Sequence, residues 1–223
     1  MTVINAIAYP KFRPIPRLHR RVVLTEKIHG SNGLIEVTLV DDFNDPHGIG
    51  VVVIHNGEHY VVRAGSRNRW LNPDDDNFGF ARFVWENAQD LVKLGAGRHY
   101  GEWFGKGINS GYGLDEKRFA LFNVAKWYDP RDTEINEKFL QTFPKAQPAP
   151  ASVTVVPVIS VIDGKHLNYA VDDALNTLES EGSFIAPGFM DPEGVVVFHD
   201  AAGAYFKATL KNDEQPKSKA AAK

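Results

Sequence analysis

Short β-rich segments separated by turn residues run through most of the chain, and this pattern leaves few fold classes open. Apolar alternation and runs of valine and isoleucine predict strands at residues 21–25, 34–40, 51–55, 59–63, 98–103, 119–125, 153–157, 194–199 and 204–210. Asn56-Gly57, between the third and fourth of these segments, is typical of a tight β-hairpin. The pattern therefore predicts an α+β protein dominated by antiparallel strands.

Two segments depart from this strand pattern. Apolar residues recur at helical spacing over residues 79–94, which predicts an amphipathic helix. A second helix is expected around residues 171–178, with Asp172 and Asp173 near its N-terminus, where negative charge is favourable. Residues 30–33 (GSNG) predict a turn between the first two strands.

Composition narrows the possible functions. The 223 residues include no cysteine, which excludes disulfides, cysteine-ligated metals and thiolate nucleophiles. Lys and Arg total 25 against 28 Asp and Glu, a net charge of -3, so a general basic coat for nucleic acid is absent and only a local basic patch is possible.

No segment resembles a targeting or membrane-spanning sequence. The longest apolar stretch, residues 153–162, is interrupted by Pro157 and Ser160 and is too short to cross a bilayer. We therefore expect a cytoplasmic protein with no membrane partner. One domain is expected over residues 1–211, followed by a disordered polar tail over residues 212–223.

The segment Thr25–Asn32 (TEKIHGSN) places Lys27 between a predicted strand and a turn of small residues. A lysine acts as a nucleophile when burial or a nearby positive charge favours its neutral form. A strand end at the floor of a pocket would supply the burial, and His29 would supply the charge. The alternative is an ordinary surface lysine in front of a hairpin, which this short motif alone favours.

Two further segments combine polar side chains with turns. Arg67 and Arg69 follow the predicted hairpin, where a guanidinium group could hold a phosphate or could face the acidic run at residues 74–76. The glycine-rich segment at residues 100–113 would let backbone approach a ligand closely, and its Glu102 could bind a sugar hydroxyl. Simple turn formation is the alternative for this segment.

The second half of the chain offers four more candidates. Phe122 ends an alternating strand and is either a core residue or a ring that stacks on a base. Glu193 precedes a buried apolar strand, where a carboxylate could meet a metal or a lysine. Lys207 and Lys211, near the last predicted strand, could neutralise a phosphate.

The order and spacing of these segments resemble the nucleotidyltransferase motifs of ATP-dependent RNA ligases. The matching motifs are Lys-x-His-Gly, Ser-Arg, Gly-Glu, Phe-x-x-Phe, Glu-Gly-Val-Val and a terminal strand with lysine, over about residues 21–211. EKIHGSN and GEWFGKGIN are similar to the RNA ligase 2-like branch of the covalent nucleotidyltransferase (ligase/capping enzyme) superfamily. The resemblance implies an α+β, ATP-grasp-like nucleotidyltransferase domain of antiparallel sheets with flanking helices, and no separate C-terminal domain.

The resemblance also implies a reaction. Lys27 would attack the α-phosphorus of ATP, with Mg²⁺ or Mn²⁺ present, and form a lysyl-AMP while pyrophosphate leaves. AMP would then pass to a 5′-phosphate, and a 3′-hydroxyl would displace it and join two RNA ends. His29 corresponds to the position that handles phosphate during transfer, and Glu193 to the one that organises the metal and the lysine.

The resemblance assigns the nucleotide contacts to eight residues. Those lying against or stacking on adenine would be Glu26, Ile28 and Phe122, the ribose ligand would be Glu102, and the remaining nucleotide or phosphate contacts would be Asn32, Arg67, Lys207 and Lys211. The last motif often has two lysines separated by one residue. Here the second position falls on Thr209 or is displaced to Lys211.

Many relatives continue into a separate domain that grips nucleic acid, so other functions stay open. A ligase for DNA or for RNA/DNA hybrid nicks would use the same chemistry. A nucleotide- or RNA-binding module that does not ligate, and that needs a partner protein, could share the fold. A basic N-terminal stretch could bind nucleic acid in place of that domain or be a solvated arm. It comprises Lys11, Arg13, Arg17, His19, Arg20 and Arg21.

Overall fold

The computed structural model describes residues 14–41, 44–45, 47–132 and 137–211. The expected tail at residues 212–223, and Lys11 and Arg13 of the basic stretch, lie outside this part of the chain. None of the helices in the described part is both long enough and apolar enough to cross a membrane.

Strands make up most of the described secondary structure. In chain order they are β1 (Arg21–Lys27), β2 (Ser31–Val40), β3 (Gly50–His55), β4 (Glu58–Gly65), β5 (Trp70–Leu71), β6 (Gly97–Gly105), β7 (Lys117–Leu121), β8 (Trp127–Tyr128), β9 (Gln147–Pro148), β10 (Thr154–Val155), β11 (Val158–Asp163), β12 (Gly194–His199) and β13 (Ala204–Thr209). The helices are α1 (Phe80–Glu86), α2 (Ala88–Leu91), α3 (Glu137–Thr142) and α4 (Leu167–Glu181).

Two sheets organise the molecule. The smaller has four strands in the order β11-β1-β12-β13, and all of its pairs are antiparallel. The larger has the order β10-β7-β6-β2-β4-β3, with β5 on β4, and only its β10–β7 pair is parallel. The expected α+β class with largely antiparallel sheets is therefore confirmed. Within the described residues no second domain is seen.

Helices cover the outer faces of both sheets. Phe80 of α1 packs on Trp103 and Phe119 of the large sheet, with ring centroids 5.4 and 5.0 Å apart. Helix α4 packs on one face of the small sheet, against Leu24 and its alternate neighbours. Val23, on the opposite face of β1, belongs to the core shared with the large sheet. Because side chains alternate along a strand, Lys27 shares the face of Val23, which is turned away from α4.

The predicted turn at residues 30–33 is wrong for all but its first residue. Ser31, Asn32 and Gly33 belong to β2 rather than to a turn. Gly33 is required for packing, since a Cβ there would lie 2.7 Å from both Phe80 Cζ and Phe119 Cε2. The tight turn at Asn56-Gly57 is confirmed, with positive φ at both residues.

The two predicted helices also differ in detail. Asn87 interrupts the first one: its backbone leaves the helical region, with φ −108° and ψ 9°, and its side-chain amide donates to Phe83 O. The second is confirmed but begins at Leu167, after a 3₁₀ turn capped by Asp163. Asp172 and Asp173 therefore lie in its second turn and not at its N-terminus.

Candidate active site

Lys27 lies at the point where the chain crosses from one sheet to the other. It is the last residue of β1, and β2 of the large sheet begins only four residues later. Its Nζ donates to Glu193 Oε2 at 2.5 Å, and the two side chains are only 16% and 14% exposed. Glu193 is placed there because Gly194, the next residue, pairs with Lys27. The geometry excludes a surface lysine in front of a hairpin.

A second group of predicted residues forms a hydrogen-bonded chain at the start of the large sheet. Asn32 of β2 stands opposite Glu102 of β6, and its amide donates to Glu102 Oε2 at 3.0 Å. Glu102 Oε1 accepts from Gly30 N at 3.0 Å. Arg67 donates twice to Asn32 Oδ1. By contrast, Arg69 pairs with Asp75 of the acidic run.

The glycine-rich segment holds the turn after Lys27 through two residues that the sequence analysis did not select. Tyr112 Oη accepts from His29 N at 2.8 Å, and Asn109 Nδ2 donates to Gly30 O at 2.7 Å. Both residues have positive φ, so this loop is unusual for non-glycine backbone. Burial raises the pKa of the Tyr112 hydroxyl, which keeps it neutral. A tyrosine and an asparagine amid closely spaced glycines were the available signal.

Glu26 and Ile28 flank Lys27 but direct their side chains elsewhere. Ile28 is buried in the main core. The Glu26 carboxylate accepts from Ser183 Oγ at 2.6 Å and from Phe184 N and Ile185 N at 2.9 and 3.0 Å. It thereby fixes the loop that follows α4. Any contact of Glu26 with a nucleotide would have to come from its backbone.

The buried Glu26 carboxyl should make stability fall as pH rises. Burial raises its pKa above the ordinary value of 4.5, against the lowering effect of its hydrogen bonds. The folded state therefore holds the proton to higher pH than the unfolded state does, and the stability it contributes is lost as pH rises through the raised pKa. Urea unfolding between about pH 5 and pH 8 should show the Glu26→Gln variant gaining stability relative to the wild type. An unchanged difference across this range would contradict the prediction.

Of the two lysines predicted near the last strand, Lys207 lies on the face of the sheet that carries Lys27, whereas Lys211 lies beyond the strand. Lys27 pairs with Gly194, which pairs with Thr209, and Lys207 stands one step further along the same face. Gly194 has φ +143°, and a Cβ there would lie 2.3 Å from Ala208 O, so this position requires glycine. Because glycine has no side chain, none stands between Lys27 and Thr209. Lys211 lies beyond the strand and pairs with Asp191 at 2.6 Å on the surface.

The two remaining predicted residues, Phe122 and His29, are fixed through their backbones. Phe122 follows β7 by one residue, is half-buried, and its N–H donates to Tyr100 O at 3.0 Å. His29 is also half-buried and is fixed through its backbone by Tyr112.

The carboxylates of this site could hold a magnesium or manganese ion only together with oxygen atoms from water and a bound substrate. No group of three or more His, Asp or Glu side chains in the described part of the chain could hold a metal. Mg²⁺ commonly takes one or two carboxylates and completes its shell with water and substrate phosphates. Glu193, a single carboxylate beside Lys27, fits that pattern.

Comparisons with known proteins agree with this architecture. No curated protein gives a significant match. Among solved structures, a variant of the Naegleria gruberi RNA ligase with ATP and Mn is similar, with a TM-score of 0.51, 16% identity, and coverage of 87% of this chain and 51% of that one. Another variant, with AMP and Mn, has a TM-score of 0.52 and 16% identity, covering 86% and 50%.

This chain thus spans about half the length of those structures, and at such identity the likeness shows a common fold alone. The family comparison is more specific. The RNA ligase family model matches residues 20–209, from the start of β1 to the end of β13. Because that match covers most of the chain, the protein belongs to the RNA ligase family.

Proposed function

We propose that this protein is an ATP-dependent RNA ligase that works through a lysyl-AMP on Lys27. The observation that carries the proposal is the contact between Lys27 Nζ and Glu193 Oε2, largely shielded from solvent where the chain crosses between two sheets. Membership of the RNA ligase family supports the reaction class.

The first step needs an uncharged amine. Glu193 Oε2 already accepts a hydrogen bond from Nζ and is the nearest base for its proton. The freed lone pair of Lys27 attacks the α-phosphorus of ATP, so a P–N bond forms. The bond from that phosphorus to the bridging oxygen of the β-phosphate breaks, and pyrophosphate leaves. A divalent cation, when bound near Glu193, would neutralise phosphate charge.

The other residues position the nucleotide. Arg67 offers a guanidinium that Asn32 already orients, which suits a phosphate or ribose oxygen. Glu102, whose carboxylate accepts from Gly30 N and Asn32 Nδ2, is proposed to bind the ribose. Lys207 shares the face of Lys27 and supplies positive charge. Phe122 provides the ring proposed to stack on adenine.

The later steps transfer the adenylyl group. A 5′-phosphate oxygen attacks the phosphorus of the lysyl-AMP, the P–N bond breaks, and Lys27 regains its proton. A 3′-hydroxyl then attacks the activated 5′-phosphate, forming the phosphodiester and releasing AMP. His29, fixed by Tyr112 at the turn after Lys27, is proposed to assist phosphate transfer.

Intact-mass measurement after incubation with ATP and Mg²⁺ or Mn²⁺ tests the first step. We expect a mass increase of one adenylyl group, removed by excess pyrophosphate and located on the peptide that contains Lys27. If no adduct forms with either metal, the enzyme proposal is wrong and a nucleotide- or RNA-binding module replaces it.

Sealing assays with the adenylylated protein then define the substrate. We expect joining of 5′-phosphate and 3′-hydroxyl ends in RNA, on nicked duplexes or single strands. Equal or better sealing of an all-DNA nick would replace the RNA proposal with a DNA ligase of the same chemistry.

A further inference from the structure

Backbone strain in the glycine-rich segment occurs at two residues whose side chains both reach the turn after Lys27. Four glycines between residues 105 and 113 have positive φ, a conformation that glycine adopts readily. Asn109 and Tyr112 share it, with φ of 47° and 54°, although a bulky side chain makes it rare. Such strain persists only where the surrounding structure enforces it, and it clusters at functional sites.

The Tyr112 ring is buried between the large sheet and the loop that follows α4. Its centroid lies 5.5 Å from that of Phe104 in β6 and 4.6 Å from that of Phe189 in the loop, and Tyr112 is 2% exposed. Glu26 fixes the same loop by binding Ser183 Oγ, and Ser183 N donates to Phe189 O at 2.9 Å. The residue before the lysine and the turn after it are therefore attached to one packed unit.

The Tyr112 hydroxyl reaches the turn from this buried position. Its oxygen accepts from His29 N, which lies between β1 and β2 and belongs to neither strand. Burial raises the pKa of the hydroxyl, and the negative charges of Glu26, Glu193 and Glu102 raise it further. The hydroxyl is therefore neutral and lies within range of three carboxylates of the site.

Asn109 holds the same turn at the next residue. Its Nδ2 donates to Gly30 O, while Gly30 N donates to Glu102. A Cβ on Gly30 would lie 2.4 Å from Trp103 O, so the turn is packed directly on β6. Side chains thus bind the N–H of His29 and both backbone polar groups of Gly30.

We propose that Tyr112 and Asn109 are positioning residues for transfer of the adenylyl group, and that they act by holding His29 in place. The inference rests on the proposed ligase function, in which His29 assists phosphate transfer. Tyr112 is too deeply buried to touch a nucleotide, and the Asn109 amide is engaged by Gly30 O. A purely structural role would lower stability alone, whereas a positioning role slows a chemical step, because a small displacement of a reacting group greatly lowers its rate.

The Tyr112→Phe variant removes the hydroxyl and keeps the ring that packs on Phe104 and Phe189. Transfer of AMP from the isolated lysyl-AMP protein to a 5′-phosphorylated RNA, measured in a single turnover, should be about 10²-fold slower than in the wild type. The ATP concentration that gives half-maximal adduct formation should not change. Tyr60→Phe is the matched control, because it loses a hydroxyl bond to Glu58 Oε2 on the β3–β4 hairpin and should transfer AMP at the wild-type rate.

A double variant tests whether Tyr112 acts through His29. His29→Ala should itself slow the transfer. Adding Tyr112→Phe to it should cause no further loss, because the position of a missing imidazole has no effect on the rate. Losses that multiply would show that Tyr112 acts independently of His29 and would contradict the proposal.

The Asn109→Gly variant removes the side chain and keeps a residue that adopts positive φ readily. Its transfer should be about tenfold slower, the scale of one hydrogen bond. Asn56→Gly is the matched control, since Asn56 has φ 51° in the hairpin turn. An equal loss in both variants would assign the effect to backbone flexibility and reject a role for the Asn109 amide.

Amide hydrogen exchange, followed by NMR on the full chain without ATP or RNA, measures the turn directly. The His29 N–H should exchange about tenfold faster in Tyr112→Phe than in the wild type or in Tyr60→Phe. Unchanged exchange in Tyr112→Phe would overturn the proposal, as would unchanged AMP transfer. Absence of the AMP adduct in the wild type would reject the ligase function, and the exchange rate would then decide whether Tyr112 holds the turn.

Discussion

The Lys27→Arg variant should fold normally and form no AMP adduct. Arginine keeps the positive charge beside Glu193, so the ion pair and the packing at the sheet crossover are retained. Its guanidinium stays protonated and has no free lone pair for attack on phosphorus. We expect adduct formation, followed by intact mass under ATP and Mg²⁺, to fall at least about 10³-fold, the scale on which loss of a nucleophile acts.

Lys93 offers a matched control for this substitution. It also pairs with a carboxylate, Asp90 Oδ1 at 2.8 Å, but it is 57% exposed and lies on the helical side of the large sheet. Lys93→Arg should therefore form the adduct at the wild-type rate. Wild-type adduct formation by Lys27→Arg would show that another residue carries AMP and would remove Lys27 from the centre of the mechanism.

The sequence was sufficient where a feature is determined by neighbouring residues of the chain. Strands β12 and β13 were predicted almost to the residue, because their apolar runs end at glycine or at turn residues. The Asn56-Gly57 hairpin was equally clear, since two consecutive residues with positive φ allow few sequences. In both cases the determining physics lies within a few residues of chain.

The failures come from contacts that are distant in sequence. Gly33 reads as a turn residue, and only the rings of Phe80 and Phe119 explain why β2 needs a residue without a side chain there. Tyr112 binds His29 across 83 residues, and Asn109 binds Gly30 across 79, so the glycine-rich pattern around them does not reveal their partners.

The residues alone predicted that Glu193 could meet a metal or a lysine, and only the family resemblance identified that lysine as Lys27. The physical cause of their contact is the register of β1 with β12, which pairs Lys27 with Gly194. Periodicity predicts that each strand exists but not which residues stand opposite one another, because register is set by the whole packed face. The same register puts Thr209, and not Lys211, in line with Lys27.

The Glu102→Ala variant should lose both stability and adduct formation. Glu102 is 8% exposed, and its two oxygens accept from Gly30 N and Asn32 Nδ2. Removing them leaves these donors without their acceptor beside the turn that follows Lys27, at a cost of about 2–4 kcal/mol in the free energy of unfolding for two bonds to a charged group. Because Asn32 would no longer be oriented for Arg67, the adduct rate should also fall by about 10²-fold, beyond what unfolding explains.

Glu36 separates the two effects. It lies four residues further along β2 and accepts from Arg63 Nη1 at 3.2 Å and Arg98 Nε at 2.9 Å, so Glu36→Ala also breaks two charge-assisted bonds. Urea unfolding should show a comparable loss of stability in this variant, whereas its adduct rate below the unfolding transition should match the wild type. If both variants lose rate in proportion to stability, Glu102 acts only by holding the fold. A rate loss specific to Glu102→Ala instead indicates that its carboxylate is part of the nucleotide site. Its hydrogen bonds to Gly30 N and Asn32 Nδ2 would then position the residues that contact ATP.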